Sequence, residues 1–151
     1  MIINEIDLFK DIDFEVMNEI AGICLEEDYE KDTVLFQKDE DANFLFILLE
    51  GTLHLVIKNG GSIIYHLTDP GEVFGWSSMV EGGRYTATGT CATDLKAVKI
   101  GRRQLDKVFR EHPLAGYMVL QRLAGVISKR LSNSYRDLLS ARSMEALPSY
   151  G

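Results

Sequence analysis

Between Glu26 and Ile100 the chain is broken into short β-rich runs by turn residues at close intervals. The runs are Thr33–Phe36, Phe44–Leu49, Thr52–Ile57, Ser62–Leu67, Val73–Phe74, Thr86–Cys91 and Leu95–Ile100. Lys38-Asp39-Glu40-Asp41, Glu50-Gly51, Asn59-Gly60-Gly61, Asp69-Pro70-Gly71 and Glu81-Gly82-Gly83 separate them. Asn59-Gly60 lies between Leu55–Ile57 and Ile63–Tyr65, and both residues tolerate positive φ, so a hairpin is predicted there. Many short strands joined by polar turns fold as an antiparallel roll, sandwich or barrel.

The flanks carry a helical period instead. Ile6, Phe9, Ile12, Phe14, Val16, Met17, Ile20 and Ile23 recur at spacings of three and four, with Asp13 placed to cap a helix. After the β-rich part, Arg102–Arg110 predicts a short helix that stops before His112-Pro113, because the residue before proline disfavours the α region. Pro113 suits the first turn of a long helix running from Leu114 to about Arg142. Leu120, Ala124, Ile127, Leu131, Ser134 and Leu138 form its stripe, and Leu123 widens it. From Leu120 to Ala141 such a helix spans roughly 32 Å, longer than a roll of this size covers. Part of the stripe is expected to face a two-fold partner, giving a homodimer. The other arrangement packs the helix on its own roll alone.

The expected fold is mainly β with flanking helices. It is an antiparallel β-roll (a double-stranded β-helix, jelly-roll-like) with N-terminal helices and a long C-terminal dimer helix. One domain covers 1–151: helices over 1–25, the roll over 26–100, a short helix over 101–112, the dimer helix over 113–142 and a tail over 143–151.

Charge sharpens this division. The net −7 of the 151 residues hides an asymmetry: 1–41 carry −11 (14 acids, 3 bases) and 96–142 carry +8 (11 bases, 3 acids). A basic helical end raises the possibility of nucleic-acid binding. Arg122, Lys129, Arg130 and Arg136, however, fall off the apolar stripe, as flanking charges of a dimer helix do. The acidic N-terminus has no apolar signal-peptide core, and no stretch approaches the roughly 20 apolar residues of a membrane helix. With two cysteines and no Cys-x-x-Cys, a cytoplasmic chain with reduced thiols is expected, without a membrane partner.

The chemistry concentrates in Asp69-Pro70-Gly71-Glu72-Val73-Phe74-Gly75-Trp76-Ser77-Ser78 and in Glu81-Gly82-Gly83-Arg84-Tyr85-Thr86-Ala87-Thr88. Backbone N–H groups of a glycine-punctuated loop, or of a short helix starting at Gly75, can converge on an anion. Arg84 opens the next β-rich run. A guanidinium inside a roll needs an anionic partner, either a ligand or one of Glu50, Glu72 and Glu81.

The order of elements now carries a resemblance. Short helices precede Phe36, an acidic turn, Ala42, Leu45-Phe46-Ile47-Leu48 and Gly51; the Gly71–Gly75 turn, Arg84 and the long helix follow. This pattern resembles the cyclic-nucleotide-binding domain of the catabolite activator protein and fumarate–nitrate regulator superfamily, over about residues 6–142. The resemblance implies a phosphate-binding cassette from Gly75 to Thr88, with Arg84 as the arginine that pairs with the cyclic phosphate. It places Gly75, Trp76, Ser77, Ser78, Arg84, Tyr85 and Thr86 at the ligand, with Ser134 and Tyr135 of the long helix near the purine. Where the family has a glutamate that accepts the ribose 2′-hydroxyl, this chain has Trp76, and an indole only donates. The implied effector is cAMP, cGMP or another nucleotide-like anion, with the signal leaving through the long helix to an unknown downstream protein.

The alternative is a degenerate domain in which Trp76 fills the sugar pocket and the chain acts as a dimerising protein-interaction module. A third reading places a metal or haem on His54 and His66 across the hairpin. No metal site is otherwise expected. An enzyme is not expected either: there is no Gly-x-Ser-x-Gly elbow, and Ser77-Ser78 have no evident base. Only Ser143–Gly151 follows Arg142. The resemblance therefore comes without a helix-turn-helix domain, and no direct nucleic-acid contact is expected.

Overall fold

The computed structural model describes residues 3–146, with side chains through Ala141. Two 3-10 turns, Ile3–Glu5 and Asp7–Phe9, lead into α1 (Phe14–Ile23). Eight strands follow: β1 (Cys24–Tyr29), β2 (Val34–Phe36), β3 (Phe44–Glu50), β4 (Leu53–Lys58), β5 (Ser62–Leu67), β6 (Val73–Phe74), β7 (Thr88–Cys91) and β8 (Leu95–Gly101). A third 3-10 turn, Trp76–Met79, sits between β6 and β7, and α2 (Arg102–Glu111) and α3 (Pro113–Ala146) close the chain. Among the described residues, no helix is long and apolar enough to cross a membrane.

The strands make two four-stranded sheets, β1-β8-β3-β6 and β2-β7-β4-β5, with every pairing antiparallel. This is the expected antiparallel roll. β3 explains its layering. Leu45 through Leu49 are all buried, because successive side chains point to opposite faces and both faces are covered. Leu45, Ile47 and Leu49 pack with α1, α2 and the start of α3, while Phe46 and Leu48 pack between the sheets. β8 divides the same way, Val98 and Ile100 to the helices, Leu95 and Ala97 to the roll interior.

The expected hairpin is present, with Lys58 paired to Ser62 and Gly60 at φ 72. β1 is a strand the sequence reading missed. The first run read from the sequence begins at Thr33, yet Glu26, Glu27 and Asp28 belong to an edge strand paired to β8 from Cys24↔Ile100 to Tyr29↔Leu95. Only one face of an edge strand of this sheet needs to be apolar. Asp13 occupies the N-cap of α1 but makes no side-chain cap hydrogen bond.

α3 follows α2 after one residue, His112. Its 34 residues extend about 51 Å. Val119 and Leu123 are buried in the core between helices and sheet, and Ile127 packs against it. Leu120, Leu131, Tyr135 and Leu138 are exposed. The predicted stripe is thus divided: Leu123, Ile127 and Ser134 face the roll, while Leu120, Ala124, Leu131 and Leu138 face outward. Of the predicted 143–151 tail, Ser143–Ala146 continue the helix, and 147–151 lie outside the described residues.

Candidate functional site

β6 ends at Gly75, which turns the chain at φ 73 and ψ 24. A side chain there would be strained by the left-handed backbone, and its Cβ would meet Phe44 O at 3.0 Å and the Phe46 ring at 3.1 Å. The 3-10 turn then closes through Ser78 N–H to Gly75 O (3.1 Å) and Val80 N–H to Ser77 O (3.2 Å). At Gly83 the chain folds back so tightly that a Cβ would lie 2.0 Å from Ser77 O. These two glycines give the loop its shape.

The returning segment is laced to the β2–β3 turn. Tyr85 N–H donates to Glu40 O (3.0 Å), Asp39 N–H to Tyr85 O (2.8 Å) and Ala42 N–H to Gly83 O (3.0 Å). Tyr85 is a pillar of this lacing. Its ring stacks on Phe36 at 4.1 Å, and its hydroxyl donates to Phe44 O (2.8 Å) and accepts from Phe44 N–H (3.2 Å). Burial pushes its phenol pKa up. Its hydroxyl is occupied by the backbone, so only its ring faces the site.

Arg84 stands at the outer edge, with its side chain 65% exposed. Its Nη1 donates to Asp39 O (3.0 Å), and its Nη2 is 3.8 Å from Asp41. The expected partners Glu50, Glu72 and Glu81 are replaced by Asp41 because Asp41 and Arg84 pair directly in an antiparallel bridge. Glu72 is used elsewhere: its carboxylate accepts the N–H groups of Thr68 (3.0 Å) and Asp69 (2.9 Å), closing its own turn.

A cavity of about 40 Å³ lies beside this loop, lined by Phe36, Leu55, Gly75, Trp76, Ser77, Tyr85, Thr86, Ala87 and Arg130. Five predicted ligand residues therefore line one space: Gly75, Trp76, Ser77, Tyr85 and Thr86. Four do not. Arg84 lies outside this lining, bound to the acidic turn. Ser78 is fully buried and lines a separate cavity with Arg102 and Arg103. Ser134 bonds to the Tyr65 hydroxyl and donates to Arg130 O (2.9 Å). Tyr135 is exposed on the far side of α3.

Arg130 is the residue the sequence reading misjudged most. Read as a solvated flank, it lies over the Trp76 ring at 4.3 Å, and its Nη2 donates to Val73 O at 2.6 Å. Its Nη1 is buried without a hydrogen-bond partner among the described residues, and burial pushes its pKa down. A desolvated cation over an indole is worth about 2 kcal/mol, which offsets part of that cost. Arg122 also turns inward, donating to Leu8 O (3.2 Å) and to Lys10 O. Lys129 and Arg136 are exposed, as expected. The sequence signal for Arg130 was its position seven residues after Leu123 and three after Ile127, on the face of α3 that packs against the roll.

His54 and His66 are directly opposed on β4 and β5, their rings edge-to-face at 4.4 Å. Both cysteines are free; Cys91 is buried, and burial pushes the Cys24 thiol up to about 12. Neither has the depressed pKa of a reactive thiol.

The two-sheet roll, the glycine-shaped loop and the helix laid across it define a ligand-pocket fold of the cyclic-nucleotide-binding type. The family model of the cyclic nucleotide-binding domain matches residues 26–112, and the chain belongs to this family. No curated protein matches the chain significantly. Among solved structures, a cyclic nucleotide-binding domain from Methylobacillus flagellatus is 23% identical with a TM-score of 0.78, covering 91% of this chain and 79% of that one. A protein from Geobacter metallireducens named for cyclic nucleotide binding is 24% identical with a TM-score of 0.75, covering 87% and 99%. The catabolite activator protein of Thermus thermophilus is 23% identical with a TM-score of 0.68, covering 88% and 62%. At these identities the three structures establish the shared fold.

Proposed function

We propose that this chain is a regulatory module, not an enzyme, whose cassette takes a small anionic, nucleotide-like effector and couples its entry to α3. One observation carries the reading: Trp76 lines the small cavity at Gly75, Ser77 and Thr86, and Trp76 is held by Arg130 of α3. The site and the output helix share a side-chain contact. A cavity of about 40 Å³ is far below the roughly 300–1,000 Å³ of small-molecule pockets. An effector must therefore displace Trp76, and that movement releases Arg130. Arg84 is weakly held by an exposed pairing, so an incoming phosphate can compete for it. Binding then shifts α3 between two arrangements.

The exposed row Leu120, Ala124, Leu131, Tyr135 and Leu138 is the face on which two copies join, so that the moving helix lies at a homodimer seam. The downstream partner is a protein that reads that seam.

The small size of the cavity also favours a second reading, a domain with no effector that acts as a dimerising interaction module. Calorimetric titration with cAMP and cGMP separates the two. Trp76→Glu vacates the cavity and restores an acceptor for the ribose hydroxyl, and should bind at least tenfold tighter than the wild type. Adding Arg84→Ala to that variant should remove the gain. Binding that survives Arg84→Ala overturns the site, and no binding in either background establishes the second reading.

A further inference from the structure

We propose that Glu19, Glu111 and His112 form a binding site for a borderline divalent cation of the zinc type, at the joint between α2 and α3. The two carboxylates and the imidazole come from three places: Glu19 from α1, Glu111 from the last turn of α2, and His112 from the single residue before α3. One ligand atom from each lies within 4.8 Å of the other two. Glu19 Oε2 is 2.9 Å from His112 Nε2. Donors held about 2.0–2.2 Å from a shared ion stand about 3–4.3 Å from one another, so small side-chain rotations bring all three to one centre. It is the one three-donor cluster among the described residues.

A second observation is the charge balance of the cluster. Two carboxylates converge here, yet among the described residues neither has a lysine or arginine within 4.0 Å. The sole counter-charge is His112, and only when it is protonated. A divalent ion neutralises both carboxylates and takes the neutral imidazole as its third ligand. The mixed nitrogen and oxygen set selects zinc and its neighbours over magnesium, which prefers oxygen and retains its water. With two ligands half-exposed or exposed, water completes the shell.

The position gives the ion a consequence. His112 accepts Gly116 N–H (3.1 Å) and donates its own N–H to Val108 O (2.9 Å), so it belongs to the end of α2 and the start of α3 at once. An ion shared with Glu19 ties this joint to α1. This site is separate from the cassette and does not depend on any effector.

The test is calorimetric titration of zinc chloride into the metal-free chain, with magnesium chloride as competitor, alongside thermal melts. The Glu111 side chain makes no hydrogen bond or ion pair among the described residues, so Glu111→Gln probes the site without removing a side-chain contact of the fold. One zinc per chain is expected, binding at least tenfold weaker in Glu111→Gln and in His112→Ala, and unchanged in His54→Ala and with excess magnesium. Zinc should raise the melting temperature of the wild type and leave that of Glu111→Gln unmoved. Zinc affinity within twofold of wild type in both site variants, or no zinc bound at all, overturns the proposal. Loss in His54→Ala also overturns it, by moving the ion to the cross-strand histidine pair, and displacement by magnesium overturns the zinc-type preference.

Discussion

The two faces of α3 are made of similar residues and do opposite things. The inner face carries Val119, Leu123, Arg122, Arg130 and Ser134, and each has a fixed partner: the core, the carbonyls of Leu8 and Lys10, Trp76 and Tyr65. The outer face carries Leu120, Leu131, Tyr135 and Leu138, all exposed. Hydrophobicity does not distinguish the faces. What distinguishes them is that Arg122, Arg130 and Ser134 on the inner face each bond to a group on the N-terminal turns, the roll or α3 itself, whereas Leu120, Leu131 and Leu138 on the outer face stand exposed. The inner face specifies a position; the outer face is the one on which the proposed second copy would join.

The largest expected effect breaks the inner face. Leu123→Ala removes a buried side chain from the core and should cost about 3 kcal/mol of folding stability, read by urea denaturation, with oligomeric state unchanged at concentrations where the chain stays folded. A loss below about 1 kcal/mol would mean that the helix is not anchored there. Next comes the outer face. Leu131→Arg should weaken self-association at least tenfold in sedimentation equilibrium while changing the folding stability of the single chain by no more than about 0.5 kcal/mol. Self-association that survives the substitution removes the outer face from the proposed dimer. The smallest effect sharpens the match of polar groups: Tyr65→Phe deletes the hydroxyl that meets Ser134 and should cost about 1 kcal/mol, with hydrogen exchange rising in α3 beyond Arg130.

The roll was legible because turn chemistry and β-branched runs are local signals. Asn59-Gly60, Gly71 and Gly75 shape the chain wherever they occur. β1 was not legible, because an edge strand needs only one apolar face and Glu26-Glu27-Asp28 conceal it. Gly75, Ser77, Arg84 and Thr86 were placed together through the resemblance of the loop to its family. The partners of Arg130 and Arg84 in this structure were not legible, because each is distant in sequence: Trp76 for one, Asp41 for the other. A stripe drawn at spacings of three and four averages over both faces of a helix, which is why Ser134 was read as part of a seam when it bonds to Tyr65. Glu19 and His112 are separated by 93 positions, and no periodicity links them.

If the proposed effector moves α3, the one-residue joint between α2 and α3 lets the long helix act as a lever. With the fulcrum at His112, Arg130 lies about 27 Å along the arm and Ala146 about 50 Å. A displacement of about 1 Å at the Trp76 contact becomes about 2 Å at the far end if the helix stays straight. Gain of this kind needs no hinge within the helix, only a short fulcrum and a stiff rod. It sets the scale on which anything attached beyond Ala141 would feel a change in the cassette.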